Sequence, residues 1–253
     1  PSYVELIVGL PEETKQTFID GICKVIELGQ HNYIGIYPLT ALPNTPFGDS
    51  AYLKKYNLKV IDTYPAFSHV DVSNMNDFER EHMIVSSNTM TVEDYKECMM
   101  YRWMFMFGHY LGTTQFISRF LNRHLGVSYS YFYKEFMNFM KSTGNNGFLG
   151  DQFFKTKRAL EQIIRTEGPW GRIVEPVRKN FAWDFEEATV IEIMKNINIT
   201  SIKLFITGKR SPRTTRICPF KERTILMIFL STVKKPCGGD GESPLVKRKL
   251  RRF

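Results

Sequence analysis

Apolar residues along this chain change their spacing as it proceeds, and each change predicts an element. Val4 to Val8 is an apolar, β-prone run broken only by Glu5, the pattern of a strand covered on both faces. Gly9-Leu10-Pro11 then turns the chain into a helix predicted from Glu12 to Leu28, with Phe18, Ile22, Val25 and Ile26 on one face and Gly29 as its stop. Pro11 suits the first helical turn, where a missing N–H costs nothing, and Glu12 and Glu13 bring negative charge to the positive end of the helix dipole. Tyr33 to Tyr37 is a second short strand, and strand, helix and strand in this order make a βαβ unit with parallel neighbours. Pro38, Pro43 and Pro46 exclude regular structure from the next loop, which leaves the strand at the end where α/β barrels bind ligands.

The stretch from Asp49 to Thr89 is mixed, with strands predicted at Lys59–Thr63 and His82–Ser86. Helical spacing takes over at Thr91, which with Asp94 forms a capping box. Met100, Met104, Phe107 and Leu111 recur at helical intervals, continue past a break at Gly112 as Phe116 and Phe120, and are followed by Tyr129, Phe132, Phe136, Phe139 and Met140 in a second helix. Stripes of this kind read as core rather than as a cofactor box. Further helices are predicted over Asp151–Thr166 and Trp183–Asn196, separated by Gly168-Pro169-Trp170-Gly171. The fold class is therefore α/β at the start and mostly α afterwards, divided as residues 1–48, 49–208 and a terminal stretch 209–253.

Charge alters the picture only at the end. The formal net charge is +8, but thirteen Lys or Arg against three acids lie between Lys209 and Phe253, which leaves the body near neutral. A nucleic-acid surface is thus expected only through the basic tail, by phosphate neutralisation. The tail reads equally as a disordered or non-native end. No apolar run is long enough to span a bilayer and no secretory signal opens the chain, so a cytoplasmic place and no membrane partner are expected.

Candidate chemistry is sparse. Cys23, Cys98, Cys218 and Cys237 have no metal-ligand spacing, and His31, His69, His82 and His124 stand alone. Arg102, His109, Tyr110, Thr114, Gln115 and Arg119 gather polar groups on the central helices; they read as solvated or capping, with Arg102, His109, Tyr110 and Arg119 as the substrate-side candidates. Glu186, Glu187 and Glu192 read as a solvated helix face.

The run Glu5, Ile7, Gly9, Glu12 resembles the G-x-I-x-G-x-x-E motif on the fifth strand of radical S-adenosylmethionine (SAM) enzymes, with glutamate in place of the first glycine. Tyr37, Leu39, Pro43, Asn44, Thr45 and Pro46 resemble the Tyr-x-Leu and Pro-Gly/Asn-Thr-Pro loop after the sixth strand, and Leu6-Ile7-Val8-Gly9-Leu10-Pro11-Glu12-Glu13-Thr14 is similar to the wording of the cobalamin-binding branch. The resemblance covers about the first fifty residues. It implies the end of a partial (β/α) radical SAM-type barrel followed by an α-helical carboxyl-terminal domain. It also implies SAM beside Ile7, Gly9, Glu12, Ile36, Tyr37 and Leu39, and a [4Fe–4S] cluster whose cysteines lie upstream of Pro1. The implied cofactors extend to cobalamin, and the partners are the missing amino-terminal part of the same protein and an unknown substrate. A helical interaction module with a basic RNA- or protein-binding arm is the alternative.

Overall fold

β1 (Val4–Val8) and β2 (Ile34–Pro38) pair in parallel and are joined by α1 (Lys15–Glu27). The computed structural model from which these elements are read describes residues 2–64, 79–144, 147–175 and 181–206. The register sets Glu5 against Gly35 and Ile7 against Tyr37, alternating with Leu6 against Ile36 and Val8 against Pro38. Side chains on a strand alternate between faces, so these two sets point to opposite sides of the ribbon. Leu6, Val8, Ile34 and Ile36 join Phe18, Ile22 and Ile26 of α1 in one core, whereas Ile7 on the other face is 44% exposed.

The first helix starts three residues later than its sequence predicts. Glu12 takes a φ of 68°, and the cap is Thr14, whose hydroxyl accepts the Thr17 N–H at 3.2 Å while the Thr17 hydroxyl accepts the Thr14 N–H at 2.9 Å. That reciprocal pair satisfies two amides that would otherwise be orphaned, so Pro11 belongs to the corner and not to the helix. Glu13 likewise serves the corner: its carboxylate accepts the Gly9 N–H at 3.2 Å.

After β2 come a 3₁₀ turn (Pro46–Gly48), α2 (Ser50–Lys55) and an antiparallel pair, β3 (Lys59–Thr63) and β4 (Glu81–Ser86), where strands were expected. β4 reaches the chain leaving β2: Ile84 N–H donates to Leu39 O at 2.9 Å and Ala41 N–H to His82 O at 2.7 Å. The proline-bearing loop is therefore anchored where it begins. His82 is not alone, since its Nδ1 lies 2.6 Å from Asp62 Oδ1.

Helices make up most of the rest: α3 (Val92–Phe105), a π-helical turn (Met106–Tyr110), α4 (Gln115–Leu125), α5 (Tyr129–Thr143), α6 (Phe148–Thr166) and α7 (Phe185–Ile206). A two-residue pair, β5 (Arg172–Ile173) with β6 (Ala182–Trp183), precedes α7, so Trp183 belongs to a strand and not to the last helix. α3 carries the expected capping box of Thr91 and Asp94, but it has no single apolar stripe. It packs against α1, α5, α6 and α7, and Tyr95, Cys98, Met99, Met100, Arg102, Trp103, Met104 and Phe105 are all buried around it. Its first turns keep Glu93 and Glu97 exposed, while from Cys98 to Phe105 nearly every side chain is buried, so apolar residues surround the helix there instead of forming one stripe.

Past the π turn the expected stripe fails. Phe116 and Phe120 are 68% and 41% exposed, and α4 instead buries Ile117, Ser118 and Leu121. One widened turn and the left-handed Gly112 (φ 79°) shift the helical phase, so positions that continue the spacing on paper leave the core in space. Accordingly, Ile117→Ala should lose about 2–4 kcal/mol in urea unfolding, whereas Phe116→Ser should stay within about 0.5 kcal/mol of the parent chain.

Candidate functional site

The carboxyl ends of β1 and β2 lie together because the strands are parallel, and the Gly9 corner and the Leu39 loop leave from that end. Gly9 has a φ of +95°, a conformation costly for any residue with a side chain, and a Cβ there would stand 3.6 Å from the Tyr95 ring and 3.7 Å from Ile84 O. Tyr95 reaches this corner from α3. Its hydroxyl is buried without a hydrogen-bond partner among the described residues, and burial pushes its pKa well above the ordinary value.

The face holding Ile7 also carries a pair of tyrosines. Tyr33 and Tyr37 close over Gly35 with their hydroxyls 2.6 Å apart, and a Cβ on Gly35 would lie 2.8 Å from both the Tyr33 hydroxyl and Tyr37 Cε2. Only glycine leaves room for the two rings. Tyr110, set by the π turn, stands edge-on to Tyr33 with centroids 4.7 Å apart. Burial and the shared hydrogen bond raise the Tyr33 phenol far above its usual range.

Along the outer edge of β2 lies a buried ion pair. Arg102 is fully buried, its two terminal nitrogens meet the two oxygens of Glu186 at 3.0 and 3.1 Å, and its Nε donates to Ile36 O at 2.5 Å. Next to it, Trp103 Nε1 donates to Thr189 Oγ1 at 2.9 Å. The expected solvated roles of Arg102 and Glu186 are thus overturned: α3 and α7 are tied together through them, with the backbone of β2 as third member. Breaking such a pair from one side leaves an uncompensated buried charge, which costs about 3–5 kcal/mol. Glu187, one residue on, is half-buried.

A second buried chain begins at the other end of β2. His31 Nδ1 lies 3.2 Å from His109 Nε2, and His109 Nδ1 lies 2.6 Å from the Tyr133 hydroxyl. Gln115 donates to the carbonyls of both His31 and His109, at 2.6 and 3.0 Å. His31 therefore has a partner, and His109 and Thr114 are buried where solvated roles were expected. Loss of hydration, the neighbouring His31 and the Arg119 charge push His109 down to about 3. The four substrate-side candidates do not converge. Arg102 is locked behind β2, His109 lies in the histidine chain, Tyr110 packs on Tyr33, and Arg119 is exposed near His31.

Cys23 and Cys98 are buried and free, with thiols pushed up to about 11 and about 12 by desolvation, the wrong direction for a metal-binding thiolate. Among the described residues no group of three or more His, Cys, Asp or Glu could hold a metal ion, and no helix is long and apolar enough to cross a membrane. His69, Cys218, Cys237 and the basic stretch from Lys209 onward lie outside the described residues.

No family model matches the chain. Individual proteins do. A cobalamin-dependent radical SAM methyltransferase, TokK of Streptomyces tokunonensis, is 33% identical over 135 residues, 53% of this chain and 19% of that protein. A 2-(S-pantetheinyl)-carbapenam-3-carboxylate methyltransferase of Streptantibioticus cattleyicolor is 29% identical over 165 residues, 64% of this chain and 24% of that protein. The chain is thus similar over part of its length to two methyltransferases, one of them a cobalamin-dependent radical SAM enzyme. It spans only about a fifth to a quarter of the length of these two relatives. The two stretches with radical SAM resemblance, Glu5–Glu12 and Tyr37–Pro46, meet at one end of the parallel ribbon.

Sequence reading missed Glu186 and Tyr95 as members of this region. An arginine inside the apolar run Met99 to Phe105 was the available signal for a buried acid, because an unpaired buried cation is untenable. Tyr95 left none.

The histidine chain sets a pH dependence. His109 binds a proton near 6.5 when unfolded but only near 3 when folded. Its contribution is complete above pH 6.5 and is lost as pH falls toward 3, at up to about 1.4 kcal/mol per pH unit. Urea midpoints measured from pH 7 to 4 should fall more steeply for the parent chain than for His109→Gln.

Proposed function

We propose that this chain supplies the closing strand–helix–strand of a radical SAM barrel, together with the helical part that follows it, in a cytoplasmic enzyme that transfers a methyl group or performs a related radical modification. The observation that carries the reading is the two-sided character of the β1–β2 ribbon. One face is filled by α1 and the core, while the other presents Ile7 beside the Tyr33–Tyr37 pair. A barrel needs this arrangement, helix outside and lumen face within. In this reading the remaining strands belong to protein that precedes the chain.

The residues present fit SAM at the carboxyl end of the ribbon. Ile7 and Tyr37 share the open face and Glu12 is exposed on the Gly9 corner, while Gly9 itself is buried against Tyr95 and Ile84 O. Ile36 and Leu39 are buried, so they serve through their backbone. Bound SAM supplies the sulfonium whose reductive cleavage starts the chemistry, and the protein's part is to orient it and exclude water. The described cysteines do not fit a [4Fe–4S] cluster, and neither the cluster nor cobalamin is assigned a ligand among the described residues. The named activity of the second relative makes a carbapenam carboxylate the first methyl acceptor to try.

Ile7→Lys tests the wall. Because Ile7 is 44% exposed in the chain, the substitution should leave its unfolding free energy within about 0.5 kcal/mol of the parent. SAM binding by the protein that carries this chain with its cluster-bearing portion should be lost. Undiminished binding of SAM by the lysine variant would sink the proposal.

A further inference from the structure

We infer that Arg102, held by Glu186, is a positioning residue for the SAM wall, acting through the carbonyl of Ile36 without touching ligand. The inference rests on the function proposed above and adds to it the means by which the wall is fixed. In a parallel ladder, alternate residues of a strand turn their backbone groups to opposite edges. Tyr33 O accepts from Val4 N–H and Leu39 N–H donates to Val8 O, so residues of that phase face β1. Ile36 and Pro38 are out of phase with them and face the outer edge, where no strand among the described residues pairs with them. Pro38 has no N–H to leave unmet there. Ile36 O does need a donor, and Arg102 Nε provides it at 2.5 Å.

The guanidinium is itself fixed. Its bidentate contact with Glu186 at 3.0 and 3.1 Å leaves Nε aimed at the strand, and Trp103 with Thr189 repeats the α3–α7 link one residue along. Ile36 lies next to Tyr37, whose side chain is on the open face, and three residues before Leu39. Pinning the Ile36 carbonyl therefore sets the height and rotation of the segment that stands opposite Ile7 and Gly9. Lysine cannot reproduce this, because one ammonium does not present a planar fork and a separate Nε donor.

The test is equilibrium binding of SAM to the cluster-loaded protein, read beside its melting temperature. Arg102→Lys and Glu186→Gln should each weaken SAM binding by about tenfold or more. Met140→Ala, on α5 and fully buried, should lower the melting temperature comparably yet leave SAM affinity within about twofold. Glu186→Gln is isosteric and decides the matter if the lysine variant does not fold. Parent-like SAM affinity in Glu186→Gln, or an equal loss in Met140→Ala, overturns the positioning role. Failure of the folded parent protein to bind SAM overturns the wall itself, and the parent titration alone reveals it.

Discussion

A cation buried in an apolar interior has to find its counter-charge and all its acceptors on the spot, and Arg102 finds them in three different elements. Its own helix is α3, the carboxylate comes from the first turn of α7, and the remaining acceptor is the backbone of β2. These elements are far apart in sequence, Arg102 standing 66 positions after Ile36 and 84 before Glu186. The helical part and the parallel ribbon are consequently joined by polar contacts whose direction is fixed, in addition to non-directional apolar packing. Where strand β2 sits is decided by where α3 and α7 sit.

The other organising feature is the π turn. Widening the helix by one residue at Met106–Tyr110 frees carbonyls, and the structure uses them: Thr113 Oγ1 donates to Phe107 O, Thr114 N–H to Gly108 O, and Gln115 Nε2 to His109 O. It also aims His109 inward toward Tyr133 and His31, while Tyr110 turns to Tyr33. Two consecutive residues of the turn thus reach residues just ahead of β2. Such widened turns are frequent at functional sites because they present adjacent side chains in directions an ordinary α-helix cannot combine.

What could be read from the sequence was mainly what depends on near neighbours. Strand–corner–helix–strand at the start, the Thr91 cap, the strand at Lys59–Thr63 and the Met and aromatic core all follow from local spacing and are present, with eight methionines from Met83 to Met140 buried. Predominance of helix after the first strands was likewise legible. Features that depend on distant residues were not. Glu186 looks like a surface acid at a helix start until Arg102 is brought to it, and Phe116 looks like core until the π turn moves it outward. The corner misled for a different reason: Thr14 and Thr17 form a cap that competes with Pro11 and Glu12 for the helix start, and two hydroxyl–amide bonds outweigh a proline's preference.

β1 brings a liability of its own. It pairs with β2 along one edge, and no other strand among the described residues lies along its second edge. That row of backbone donors and acceptors runs beside Val4, Leu6, Ile7 and Val8, with Glu5 the sole charge in the strand. Unpaired strand edges recruit further strands, native or foreign, and a single charge is a thin defence. The surface suited to being one stave of a larger sheet is, for the same reason, the surface through which separate copies of this chain would stick to one another.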